Sequence, residues 1–141
     1  MNVKKIEYNL SKFDEENVET LLDSLNYNKG NYFFTMTKPS ILSRILIGNI
    51  TDFSNRYCII CFSEAEINMI MLSRLSNKKV TEIISINRDE IIGMKLSNVL
   101  ISFMLNIKLN ESNLKFQLFK KFGKFSKVKG SIEAFREMYK L

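Results

Sequence analysis

The sequence predicts a mainly β protein with helices near its two ends (α+β). Between Tyr57 and Phe122 the chain contains short runs of alternating apolar and polar residues, rich in β-branched and aromatic types. Near each end, apolar residues recur instead at helical spacing. A chain of 141 residues is long enough to bury one core without disulfides or metals. We therefore expect a single domain over residues 1–141.

The predicted strands follow one another closely along the chain. The six runs are 56–63, 67–72, 80–86, 91–96, 99–109 and 114–119, and polar segments between them predict turns, one of them around Asn98. The alternation is cleanest in the last two runs, where Ile107 and Leu114 fall on one side and Lys108 and Lys115 on the other. Residues 31–38 add an earlier strand. About seven strands are therefore expected within residues 31–130.

Two longer helices and one short helix are predicted. In the first, over residues 12–26, Ser11 and Asp14 resemble a capping box, and one face carries Val18, Leu21, Leu22 and Leu25. Residues 1–30 are therefore predicted to be an N-terminal helical extension. A C-terminal amphipathic helix is predicted over residues 131–141, capped by Ser131. The apolar segment 41–46 predicts a short helix packed on the end of the barrel, with an exposed membrane or partner anchor as the alternative.

The strand series from Tyr57 to Phe122, followed by the helix from Ser131, resembles the pleckstrin-homology-like (PH-like) domains of many small bacterial proteins. The resemblance is one of pattern and order over about residues 32–141. It implies two orthogonal antiparallel sheets in a small barrel, capped by the C-terminal helix. Closure would also hide the edges of many short strands. Because members of this family mostly bind phosphoinositides, peptides or proteins, the resemblance implies a non-catalytic binding module.

Lipid-binding members of that family usually carry basic residues on the first strand and at the start of the second. Here Lys38 and Arg56 lie roughly at those positions, separated by the long insertion 39–55. A further basic residue is expected just after Arg56, but Cys58 stands there. This departure from the pattern argues against phosphoinositide recognition.

The net charge of +6 is distributed unevenly. The first helix is acidic, and the stretch after the last strand is basic, with Lys115, Lys120, Lys121, Lys124, Lys127 and Lys129 and no carboxylate among residues 115–129. Such asymmetry suits contact with an anionic surface, or with the acidic end of the chain itself.

The candidate site lies in this basic and aromatic run. We predict that Lys120, Lys121, Lys124 and Lys127 make the electrostatic contact, with Phe125 as an apolar anchor. The partner is then a protein or an anionic membrane. A nucleic acid is a weaker alternative, since it would require more exposed aromatic and arginine side chains. The competing interpretation is that the phenylalanines complete the core while the lysines keep an edge soluble.

Several kinds of chemistry are not expected. The chain has no histidine, the commonest general base and metal ligand, and none of the glycine-rich phosphate motifs. Cys58 and Cys61 match a CxxC pattern, but residues three apart on a strand face opposite sides, which predicts core cysteines. We therefore predict a protein that is not an enzyme, with no catalytic or metal-binding residue and no cofactor. An enzyme with no recognisable motif is the weakest alternative.

The expected location is the cytoplasm, with peripheral association at the inner membrane face as an alternative. No apolar run approaches the roughly 20 residues needed to cross a bilayer. The first residues carry charge but no apolar stretch of the kind found in a secretion signal.

Overall fold

The computed structural model describes residues 1–38, 55–110 and 112–141. Within these ranges the chain forms eight antiparallel strands and two α-helices. The strands are β1 (Asn2–Asn9), β2 (Tyr32–Lys38), β3 (Tyr57–Phe62), β4 (Glu66–Leu72), β5 (Lys79–Asn87), β6 (Ile91–Val99), β7 (Ser102–Leu109) and β8 (Asn113–Phe119). The helices are α1 (Glu15–Ser24) and α2 (Val128–Met138), and a 3-10 turn at Arg88–Glu90 joins β5 to β6. The prediction of a mainly β protein with helices is confirmed.

All eight strands belong to one sheet, in the order β1-β5-β4-β3-β2-β8-β7-β6. Strands β2 to β5 form one meander and β6 to β8 form another. Pairing between β2 and β8, with Thr35 opposite Leu118, joins the two meanders. Strands β5 and β6 are consecutive in the chain but are not neighbours in the sheet. Since β1 and β6 are edge strands, the sheet is open, and the predicted closed barrel is not observed.

The prediction that residues 1–30 form an N-terminal helical extension is wrong at its start, because Asn2–Asn9 form β1, which pairs with β5. Its sequence of asparagines, lysines and isolated apolar residues lacks clean alternation, since most of its side chains are exposed at the sheet edge. The predicted count of about seven strands omits this one.

Helix α1 confirms the predicted N-terminal helix but begins later. Its N-cap is Asp14, which accepts a hydrogen bond from the Asn17 amide at 2.9 Å. The predicted cap, Ser11, instead donates its hydroxyl to the Asn17 side chain.

The C-terminal helix begins at Val128 rather than at Ser131. Ser131 lies inside it and donates a hydrogen bond to the Gly30 carbonyl at 3.2 Å, which fixes α2 to the start of β2. The helix predicted over 41–46 lies outside the described residues.

The central strands are buried on both faces of the sheet. One face carries Phe33, and the α2 residue Phe135 packs 5.2 Å from its ring. The other face carries Phe34, which contacts Phe13 just before α1 at 5.6 Å. Because both faces are covered, β3 and β4 are almost continuously apolar rather than alternating, unlike β8.

A buried ion pair connects the residue before β3 with the end of β4 and with the interior of β5. The Arg56 side chain is 5% exposed, and its Nη2 donates to Glu82 Oε2 at 2.8 Å while its Nε donates to the Leu72 carbonyl at 3.1 Å. Burial raises the pKa of Glu82, but the hydrogen bonds from Arg56 and Thr81 and the charge of Arg56 outweigh it, so this pKa lies below its ordinary value. The arginine implicated by the family resemblance is therefore engaged within the fold.

Removing this arginine leaves a partly buried carboxylate without its cation. Arg56→Ala is expected to lower the free energy of unfolding at pH 7 by about 3–5 kcal/mol. Because the Glu82 pKa is depressed in the native state, the pair contributes fully above pH 4.5, and its contribution disappears as pH falls through the native pKa. Urea unfolding of both proteins from pH 7 to pH 3 should show their difference narrowing. Lys78→Ala, at an exposed position, is the control and should change stability by less than about 0.5 kcal/mol.

Two tyrosines provide an opposed pair of stability tests. The Tyr32 hydroxyl is fully buried and has no hydrogen-bond partner in the described structure, whereas the Tyr139 hydroxyl donates to the Ser63 carbonyl at 2.8 Å. Tyr32→Phe is expected to stabilise the fold by about 1 kcal/mol, since it removes an unsatisfied polar group. Tyr139→Phe should destabilise it by a similar amount. Equal effects of the two substitutions in chemical denaturation would contradict this assignment.

Candidate functional site

The phenylalanines of the basic run point into the molecule. Phe122 stacks on Phe34 with ring centroids 4.3 Å apart, and Phe125 lies 4.5 Å from the same ring. Phe13 contacts both of them, which completes an aromatic cluster of Phe13, Phe34, Phe122 and Phe125. Phe125, predicted as an anchor, is half-buried in this cluster and helps to hold the segment before α2 against the sheet.

The structure separates the four predicted lysines into different environments. Lys127 forms an ion pair with Glu19 of α1, and this hydrogen bond raises the pKa of Lys127. The neighbouring Ser126 hydroxyl donates to Glu15 at 2.9 Å. The basic run thus contacts the acidic first helix of its own chain, as the charge asymmetry allowed. Lys124 is exposed, but it does not line the groove described next.

Lys120 and Lys121 lie on a groove between the sheet and α2, with a volume of about 330 Å³. Its other two cations are Lys129 and Arg136, its apolar lining consists of Phe103 and Ile132, and one carboxylate, Glu133, also lines it. We call this surface the cationic groove. The amine of Lys120 lies 4.5 Å, and the guanidinium carbon of Arg136 lies 5.7 Å, from the centre of the Phe103 ring. Both distances are in the range of cation–π contact.

Charge is only partly compensated in the cationic groove. Within the described residues, Lys121 and Lys129 are exposed and form no ion pair. Lys120 donates a hydrogen bond to the Asn98 side chain at 2.9 Å, which orients its amine without neutralising it. The arrangement can therefore hold an anionic group against its apolar lining. Phe103 lies on β7 and Arg136 on α2, both outside the basic run. Only the packing of α2 against the sheet brings Arg136 and Lys120 to the Phe103 ring, so this arrangement could not be predicted from the basic run alone.

A second groove of about 540 Å³ shares Lys120 and Lys121 and extends to the turn between β6 and β7. This turn consists of Leu100 and Ile101, whose exposed fractions are 92% and 87%. We call these two residues the hairpin tip. The predicted strand over 99–109 and the predicted turn near Asn98 are wrong here, since β6 continues through Val99 and β7 begins at Ser102. The apolar character of Leu100 and Ile101 predicts a strand, but the two residues form an exposed turn.

Cys58 and Cys61 are buried and free, in agreement with the prediction of core cysteines. Cys58 lies opposite Thr35 and Cys61 opposite Tyr32, so their side chains occupy opposite faces of the sheet. Burial raises the pKa of each thiol to about 12. Among residues 1–38, 55–110 and 112–141, no three potential ligands from His, Cys, Asp and Glu are placed to hold a metal ion.

These pKa values predict very slow thiol chemistry in the native protein. Because the thiolate is the reactive form, a thiol-disulfide reagent at pH 8 should label neither cysteine appreciably, whereas both should react rapidly in denaturant. The raised pKa values also make the stability of the fold depend on pH. The two neutral thiols contribute their full stabilisation below pH 9, the ordinary pKa of a thiol, and this stabilisation is lost as pH rises towards 12. Stoichiometric labelling of the folded chain within minutes would contradict this description.

Neither helix in the described parts of the chain is long and apolar enough to cross a membrane. Comparison of this chain with protein-family models, curated proteins and solved structures finds no match. The groove and the hairpin tip are therefore interpreted from their own geometry.

Proposed function

We propose that this protein is a non-catalytic docking module that binds an anionic membrane surface through its cationic groove. The observation that carries the proposal is the convergence of Lys120, Lys121, Lys129 and Arg136, with one carboxylate, on a concave apolar surface. Each basic side chain near an anionic bilayer contributes about 1 kcal/mol of attraction. Four such groups on one face therefore supply useful affinity without a covalent or catalytic step.

The inward packing of the phenylalanines in the basic run favours lipid headgroups over single-stranded nucleic acid as the ligand. Arg136 can form two parallel hydrogen bonds to a phosphate, while the lysines act as point charges around it. Single-stranded nucleic acid would also require outward aromatic side chains on which bases stack. The phenylalanines of the basic run instead pack in the aromatic cluster. Binding to nucleic acid or to an acidic protein is therefore an outcome to be tested, and membrane docking is the proposal.

A PH-like arrangement of residues 32–141 is part of this proposal. The support is the succession of seven strands, β2 to β8, followed by the amphipathic helix α2. The missing pairing between β5 and β6 divides these strands into two meanders, and β8 returns to pair with β2. Each meander corresponds to one sheet of that family's architecture, and here the pairing of β2 with β8 joins the two into one open sheet, with β1 and α1 as additions at the N-terminal side.

Charge reversal in the groove is expected to remove membrane binding. Lys121→Glu/Lys129→Glu should weaken binding to vesicles that contain phosphatidylglycerol by on the order of thirtyfold, since at least two attractive contacts are lost. Co-sedimentation with anionic and with neutral vesicles, at low and at physiological salt, measures this. Lys4→Glu/Lys78→Glu alters the net charge by the same amount at exposed positions outside the groove, and should bind within a few-fold of the unaltered chain.

Equal loss in both double variants would mean that net charge, rather than the groove, controls binding. Unchanged binding after reversal of Lys121 and Lys129 would show that the site is assigned wrongly. If the unaltered chain ignores vesicles but binds RNA or DNA with a steep salt dependence, the nucleic-acid alternative replaces the proposal.

A further inference from the structure

The hairpin tip exposes two consecutive aliphatic side chains. Leu100 is 92% and Ile101 is 87% exposed, and the adjoining Val99 is 43% exposed. Single exposed apolar residues are common on protein surfaces, but adjacent aliphatic residues at the apex of a hairpin form a contiguous apolar projection. Neither side chain is buried within the described structure, so packing in the core does not explain why these two residues are apolar.

Turn geometry does not account for them either. Val99 pairs with Ser102, so Leu100 and Ile101 are the two central residues of a tight hairpin turn. Leu100 has a φ of +50°, and Ile101 does not have a positive φ. A two-residue hairpin turn with this pattern strongly favours glycine at its first central position. A leucine there is disfavoured by the backbone as well as by exposure to water.

The base of the hairpin tip is positively charged. The Lys120 amine donates to the Asn98 side chain at 2.9 Å and lies 3.5 Å from the Leu100 carbonyl oxygen. Lys121 lines the same groove as the tip. An anionic bilayer has phosphate groups at its surface and acyl chains beneath them. Apolar side chains at the end of the hairpin, with lysines at its base, are complementary to these two layers.

We propose that Leu100 and Ile101 insert into the acyl boundary of an anionic bilayer while Lys120 and Lys121 contact its headgroups. This inference rests on the proposed membrane docking and names its insertion element. It assigns the electrostatic and the apolar parts of binding to different residues. The two parts should therefore respond differently to salt and to substitution.

Direct detection of insertion uses the absence of tryptophan from the chain. Ile101→Trp introduces a single indole at the hairpin tip. Its fluorescence should shift to shorter wavelength on vesicles of phosphatidylglycerol and phosphatidylcholine, and lipids brominated on the acyl chain should quench it. Leu75→Trp is the matched control, since Leu75 is 97% exposed in the turn between β4 and β5. The indole at position 75 should show neither change.

Removal of the apolar apex tests its contribution to affinity. Leu100→Gly/Ile101→Ser should weaken binding to the same vesicles by on the order of a hundredfold, because two aliphatic side chains no longer move from water into the bilayer. The salt dependence should stay as in the unaltered chain, since no charge changes. Glycine accepts the positive φ at position 100, so this variant should fold at least as stably, as checked by thermal unfolding. Leu75→Ser is the control and should bind normally.

The outcomes separate the inference from the proposed function. If the unaltered chain binds anionic vesicles while the indole at position 101 stays unquenched, or while Leu100→Gly/Ile101→Ser binds equally well, docking stands and insertion by the tip is overturned. If the unaltered chain binds no vesicle, both are overturned. Equal quenching at positions 75 and 101 would also reject the tip as the specific insertion element.

Discussion

Strand β2 pairs with β3 on one side and with β8 on the other, and the rest of the structure depends on this double pairing. It unites two meanders that would otherwise be separate sheets. Side chains alternate along a strand, so the adjacent residues Phe33 and Phe34 of β2 lie on opposite faces of the sheet. Because β2 lies in the centre of the sheet, both faces are covered there. Helix α2 covers the first face, while the residue before α1 and the segment before α2 cover the second. One strand thereby contacts α2 directly and the residue that precedes α1.

The aromatic cluster links this core to the candidate surface. Phe122 and Phe125 hold the segment between β8 and α2 against Phe34, and the Lys127–Glu19 ion pair fastens the end of that segment to α1. With those contacts made inward, Lys121 and Lys129 remain exposed on the outer side, beside Arg136 of α2. The groove is thus a consequence of how the linker packs. The positions of its cations are set by the packing of this segment and of α2 against the sheet.

The candidate site also differs from the core in how its charged side chains are neutralised. Arg56 is buried, but Glu82, Thr81 and a carbonyl oxygen satisfy its guanidinium, as a buried charge requires. In the cationic groove, by contrast, Lys121 and Lys129 form no ion pair within the described residues, and at the hairpin tip Leu100 and Ile101 are exposed. Leu100 in addition occupies a left-handed conformation that suits glycine better. The hairpin tip thus combines an unfavourable backbone conformation with exposed apolar side chains beside the cationic groove.

Local pattern by itself determined the character of most elements. The alternation in β7 and β8 and the apolar, β-branched runs of β3 and β4 were sufficient to predict strands, and the spacing of Val18, Leu21 and Leu22 was sufficient for α1. Such patterns are readable because burial of one face, or of both, leaves a period in the sequence. β1 has no such period because most of its side chains face water, and it becomes a strand only through backbone pairing with β5.

Tertiary structure decided the site. The sequence located the basic run, but only folding turned Phe125 inward, paired Lys127 with Glu19 and brought Phe103 and Arg136 beside Lys120. Likewise, Leu100 and Ile101 resemble strand residues until the register of β6 on β7 places them in the turn. Periodicity along a chain reports which side of an element is buried. Which side chains meet depends on distances between elements far apart in the sequence, and the packing of the sheet fixes those distances.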